Sequence, residues 1–114
     1  MSEKTSSGKT TLTPDVLLTI ARMSALEVEG VKCMAPVKSS INSLFRKDHE
    51  GVRVVIEDEQ VLVDLYLIMG TDVNLREVGR TVQHVVARAI AEMTGLEVGH
   101  VNIHIEDIDY GEEA

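Results

Sequence analysis

From Leu75 to Met93 the apolar residues Leu75, Val78, Val82, Val85, Ala89 and Met93 recur three or four positions apart. That spacing predicts a helix with one apolar stripe. Its start is marked by Asn74 as a capping residue, answered by Glu77 three positions on, with Val73 and Val78 placed as a hydrophobic staple. Gly95 can take the left-handed conformation that ends a helix, and Leu96 can then fold back onto Ile90 and Ala91. The period changes after that. Val101, Ile103 and Ile105 alternate with His100, Asn102, His104 and Glu106, the two-residue repeat of a strand with one buried face.

The first half of the chain carries the same two periods. Residues 1–11 are rich in Ser, Thr, Lys and Gly without periodicity and read as a flexible arm. Thr13 then caps a predicted helix opened by Pro14, with Asp15 in the positive first turn and Leu12 and Leu17 at staple positions. Leu17, Ile20, Ala21, Ser24 and Val28 share one face of it, while Val16, Met23 and Leu26 lie on other sides. A helix apolar beyond one stripe is expected to be covered on more than one side. Gly30 ends it, and Val31–Met34 reads as a short strand. Val37, Ile41, Leu44 and Phe45 return to helical spacing among Lys38, Arg46 and Lys47, so Val37–Glu50 reads as a short amphipathic helix or an ordered loop. Val52–Ile56 and Val61–Met69, joined by the polar turn Glu57–Gln60, form a hairpin whose second strand is apolar on both faces except at Asp64 and Tyr66. That strand is expected to be central.

The order helix, strand, strand, strand, helix, strand predicts an α+β fold. Its most economical packing is a two-layer sandwich, with a mixed sheet of three to four strands and two helices on one face. The expected core is Leu17, Ile20, Ala21, Val54, Val63, Leu65, Val78, Val82, Val85, Ala89, Ile103 and Ile105. One domain, 12–108, is bounded by the arm and by an acidic tail, 109–114, which is expected to fray.

Composition narrows the function classes. One Phe, two Tyr and no Trp leave the core to aliphatic residues and disfavour stacking on bases or sugars. A net charge of -8 repels nucleic acid and anionic lipid at long range. No apolar run approaches the roughly 20 residues of a spanning helix. With one cysteine and no leader pattern, an intracellular location is the expectation.

Three features invite chemistry. His100 and His104 share a strand face with Asn102 and Glu106. Positions four apart on a strand are separated by roughly 13 Å, too far to share one ion at bonds of about 2 Å, so a solvated sheet face is favoured over a metal site. His104 and Glu106 could still join ligands from another strand. Cys33 has no resolving thiol, and Lys32 beside it alternates to the opposite face, so a buried small hydrophobe is favoured over a nucleophile. Arg76, Arg80, His84 and Arg88 recur every four residues on the second helix, opposite its apolar stripe, as one slanting basic ridge. It is either an ordinary solvated face or a docking ridge for an acidic partner, such as the tail of a neighbouring subunit with Glu106, Asp107, Asp109, Glu112 and Glu113. RNA is disfavoured, because neither a Gly-x-x-Gly clamp nor an aromatic ribonucleoprotein motif is present. No phosphate-binding glycine loop or metal-spaced Cys and His cluster appears, and no cofactor is expected.

Three blocks, in this order, resemble the alkaline shock protein family of small bacterial envelope-stress and general-stress proteins. They are Ile20–Ala21 through Ser24–Val31, with its Glu-Val-x-Gly-Val exit; Gly51–Val54 with Val63–Leu67; and Gln83–Val85 through Met93–Leu96 and Val101–Ile105. Together they cover almost everything from Leu12 to Ile108. The resemblance implies a non-enzymatic cytosolic protein that self-associates and gathers at the inner face of the cell membrane through a membrane-anchored partner. The net charge and the lack of a long apolar run add the expectation that it neither inserts into lipid nor binds DNA. The resemblance brings no catalytic residues. The expected docking residues are the ridge Arg76, Arg80, His84 and Arg88 and the apolar set Val37, Ile41, Leu44 and Phe45. The alternative is a small regulatory protein acting on an enzyme of lipid metabolism or on RNA.

Overall fold

The computed structural model describes residues 8–36, 46–49 and 51–111. Along the chain run α1 (Pro14–Leu26), β1 (Val31–Met34), β2 (Arg46–His49), β3 (Val52–Glu57), β4 (Gln60–Gly70), α2 (Leu75–Thr94) and β5 (Glu97–Asp109). The expected α+β order holds, with one further short strand, β2, paired antiparallel to β3. That strand falls in Val37–Glu50, where a helix or loop is expected. Four consecutive polar residues have no alternation to detect, and the strand exists because β3 offers an edge across the turn at Gly51.

β4 organises the sheet. On one edge it pairs antiparallel with β3 along Gln60–Leu65 and then with β1 along Leu67–Met69. At the handover the Tyr66 N–H donates to the Gly51 carbonyl and the Ala35 N–H donates to the Tyr66 carbonyl, both at 2.8 Å. On its other edge β4 pairs with β5 in parallel, from Gln60↔Glu97 to Gly70↔Asp109. A parallel pair needs a crossover, which α2 supplies. The mixed sheet therefore has five strands rather than three to four, and β4 is central as expected. β5 begins at Glu97 and continues to Asp109, well beyond the alternating stretch Val101–Ile105. At its far end Asp107, Ile108 and Asp109 complete the pairing with the last residues of β4.

One face of the sheet carries the core. Val61, Val63, Leu65, Leu67 and Met69 of β4 are fully buried against Val52 and Val54 of β3, Leu17, Leu18, Ile20, Ala21 and Ala25 of α1, and Val82, Val86 and Ile90 of α2. Both helices lie on this face. The α2 stripe sits further round than its spacing suggests: Val86 and Ile90 are buried, Val78, Val85 and Ala89 are only partly buried, and Met93 is 70% exposed. Val85 and Val86 are chemically equivalent neighbours, so only docking against the sheet chooses between them. Ile103 is also only partly buried, and Ile105 is 38% exposed, because β5 is an edge strand that α2 covers incompletely.

The helix ends follow local chemistry. Asn74 Oδ1 accepts from the Glu77 N–H at 3.0 Å, and Gly95, at φ 78°, sends its N–H to the Ala91 carbonyl. Thr13 is extended as an N-cap should be, but its hydroxyl makes no cap bond. α1 stops at Leu26, before Gly30, in a tight turn where the Glu27 N–H reaches the Ser24 carbonyl.

Candidate functional site

α2 presents two sides. Val82, Val86 and Ile90, each one turn from the next, face the sheet, while Arg76, Arg80, His84 and Arg88 are exposed, as their four-residue recurrence predicts. Only the fold shows what lies beside this ridge. Arg76 and Arg80 rim a groove of about 410 Å³ whose other walls are Leu75, Gly79, Gln83, Ile103 and Ile105. One turn further along, His84 and Arg88 line a second hollow with Ala87, Ala91, Glu97 and Val98. The ridge thus follows the outer edge of β5, the edge that no other described strand pairs. Gln83 spans the same seam, donating from Nε2 to the Val101 carbonyl at 3.0 Å. Arg88 also meets Glu92 at 3.0 Å, one turn on, and both side chains are about two-thirds exposed. A pair that open to water adds little stability.

The second expected docking set, Val37, Ile41, Leu44 and Phe45, lies outside the described residues.

The histidine face is organised differently from its one-strand reading. His104 is joined by Asp64 of β4, whose Oδ1 lies 2.9 Å from His104 Nε2 and also accepts from Asn102 Nδ2 at 3.2 Å. Tyr66 stacks on the His104 ring at a centroid distance of 4.5 Å and an interplanar angle of 10°, and the Arg53 guanidinium lies 5.6 Å from the Tyr66 ring centre. The parallel pairing that sets Asp64 beside Asn102 and Tyr66 beside His104 creates this chain of contacts. No local period in the sequence links those pairs, which lie 38 residues apart. Glu106 falls at a bulge between Ile105 and Asp107 and drops out of the expected alternation. Chemically the cluster stitches β3, β4 and β5 together across the uncovered face: one imidazole nitrogen is committed to a carboxylate and one ring face to Tyr66. No group of three or more His, Cys, Asp or Glu residues that could hold a metal ion occurs among the described residues.

Cys33 is exposed, contrary to expectation. A bulge at Lys32 resets the alternation of β1 and sets Cys33 opposite Ile68, a residue of the sheet face that carries no helix. Lys32 and Cys33 both line a hollow with Arg22, Leu26 and Met34.

Residues 2–110 match the model of the alkaline shock protein 23 family, described as having a cell envelope-related function. The chain belongs to this family. Among its relatives, the uncharacterized protein YqhY of Bacillus subtilis is 31% identical over 98% of this chain and 85% of its own length. An uncharacterized protein of Streptococcus pyogenes serotype M6 is 33% identical over 91% of this chain and 90% of its own. The uncharacterized B. subtilis protein YloU is 28% identical over 92% of each. No solved structure matches the chain significantly. The family match extends through α2 and β5, so the ridge and the open strand edge both belong to the family domain.

Proposed function

We propose that this protein is a non-enzymatic scaffold of the cell envelope stress response, which associates with copies of itself and is held at the cytoplasmic side of the membrane by a protein partner. The observation that carries this reading is the basic ridge of α2 running beside an unpaired strand edge on a chain of net charge -8. A local field opposite in sign to the whole molecule selects an acidic partner at short range and orients it, while the net charge repels anionic lipid. The family's envelope-related function supports a place at the membrane. No helix among the described residues is long and apolar enough to cross one. The envelope-related family function and the acidic net charge support recruitment through a protein partner.

Membrane capture tests it. Purified protein should be retained by isolated cell membranes at physiological salt, be released by a high-salt wash, and fail to sediment with protein-free anionic vesicles. Arg80→Glu combined with Arg88→Glu should reduce retention while leaving the melting temperature nearly unchanged. Equal binding to protein-free vesicles, or undiminished capture by the charge-reversed variant, would overturn the reading.

A further inference from the structure

We propose that the outer edge of β5, together with the α2 groove beside it, is a strand-docking site for the acidic C-terminal stretch, Glu106–Ala114, of a second copy of this chain. The inference rests on the self-association reading and gives it a surface and a chemistry.

The backbone supplies the first argument. Pairing of β5 with β4 runs without interruption from His100 to Ile105, between the bulges at Gly99 and Glu106. In an extended strand, alternate residues turn their N–H and C=O groups to the same side. The Val101 carbonyl points outward, because Gln83 of α2 reaches it. Ile103 and Ile105 therefore present their backbone groups to the outer edge too, and no described strand pairs there. Such an edge is a template for an added strand.

The groove supplies the second. Leu75, Gly79, Ile103 and Ile105 form its apolar floor beside the edge, and Arg76 and Arg80 form its rim. Gly79 keeps it open: a Cβ there would stand 3.9 Å from Ile103 Cγ2, so any larger side chain would grow into the space. An extended segment laid on β5 would run beneath two guanidinium groups. Acidic side chains on that segment satisfy them.

Charge then selects the occupant. Between Glu106 and Ala114 the chain has five carboxylates and no basic residue. Two β5 strands paired about their middles would set one basic ridge against the other, which like charge opposes. A pairing staggered toward the C-terminus separates the ridges and brings Glu112 and Glu113 of each copy alongside Arg76 and Arg80 of the other. The contact is then self-complementary and closes on itself.

The test uses a fluorescent peptide of sequence Glu106–Ala114 titrated with the intact protein and read by anisotropy. Binding should saturate, weaken by about tenfold or more in Arg76→Glu/Arg80→Glu, and weaken in Gly79→Val, which changes no charge. Melting curves of both variants should match the parent, since the altered side chains lie outside the core. Two further peptides separate strand addition from charge attraction: one N-methylated at Ile108, Tyr110 and Glu112, the other at Asp107, Asp109 and Gly111. One of the two should lose binding, because only alternate amides face the β5 edge. Equal binding of both methylated peptides, unchanged affinity for the charge-reversed variant, or saturation of the ridge by a short single-stranded RNA but not by the peptide would overturn the proposal. Sedimentation velocity keeps the two readings apart. Copies that associate without binding the peptide refute this surface and leave self-association standing; absence of both refutes the two together.

Discussion

The two helices lie on the same face of the same sheet, yet they use their surfaces in opposite ways. α1 buries six of its thirteen residues, Leu17, Leu18, Ile20, Ala21, Ser24 and Ala25, and it contacts α2 as well as β1, β2 and β3. α2 is longer, twenty residues, and buries only Val82, Val86 and Ile90. α1 is a wedge with one broad buried face, and the apolar residues off that face, Val16, Met23 and Leu26, are exposed rather than covered as expected, because no described element packs over them. α2 packs against α1 on one side and β5 on the other, with one narrow line of fully buried residues, and half of its residues are exposed. Substitutions inside α1 or on the α2 line should therefore change stability, and those on the α2 ridge should change association alone.

The largest effect expected from this contrast is at two adjacent residues of α2. Val86→Asp places a charge at a site with no exposure, and the cost of several kcal/mol is comparable to a typical total stability of about 5–15 kcal/mol, so this variant should not fold. Val85→Asp, on the partly buried flank, should fold with a lowered midpoint. Equal destabilisation of the two in urea titrations would mean that α2 is embedded as deeply as α1.

The junction of the helices comes next. Gly30, just beyond α1, has φ 107°, and a Cβ there would stand 2.8 Å from Val78 Cγ2 of α2. Gly30→Ala should cost about 1–3 kcal/mol from the backbone strain and the displaced valine together, read as a fall in the thermal midpoint. A neutral result would show that the exit of α1 is not pinned against α2.

A smaller effect distinguishes the two helix starts. Asn74→Ala removes an observed cap bond and should cost about 0.5–2 kcal/mol, whereas Thr13→Ala removes a hydroxyl that makes none and should cost less. The difference between the two in parallel melts measures how far α2, with its thin line of burial, depends on its end. Smallest of all, Arg88→Ala breaks the exposed pair with Glu92 and should shift stability by about 0.5 kcal/mol or less while reducing retention by membranes. A shift several times larger would assign Arg88 to the fold and remove it from the docking ridge.

Much of this architecture was legible in the linear order of residues, and the particular failures share a cause. The cap at Asn74, the stop at Gly95 and the exposure of Arg76, Arg80, His84 and Arg88 depend on neighbours within one or two turns, so local spacing suffices for them. The choice of Val86 over Val85, the strand at Arg46–His49 and the exposure of Cys33 depend on which element lies alongside. A bulge at Lys32 or at Glu106 shifts a strand's alternation by one residue and leaves no trace in the hydrophobic pattern. The ridge itself was visible as four basic residues, but its place along an unpaired edge of β5 was not, since that requires knowing that β5 adds outside β4.

By itself the sequence determined the number of long elements, their periods, the sign of the ridge against an acidic chain, and the family to which they belong, because backbone capping, side-chain alternation and charge are properties of nearby residues. Tertiary structure alone decided which face of α2 is buried, that Asp64 meets His104 across forty residues, and that the basic ridge borders an open strand edge. The physical reason is that burial and strand pairing are relations between segments. A hydrophobic period states that an element has a buried side, while only the element packed against it fixes where that side begins and what is left exposed beside it.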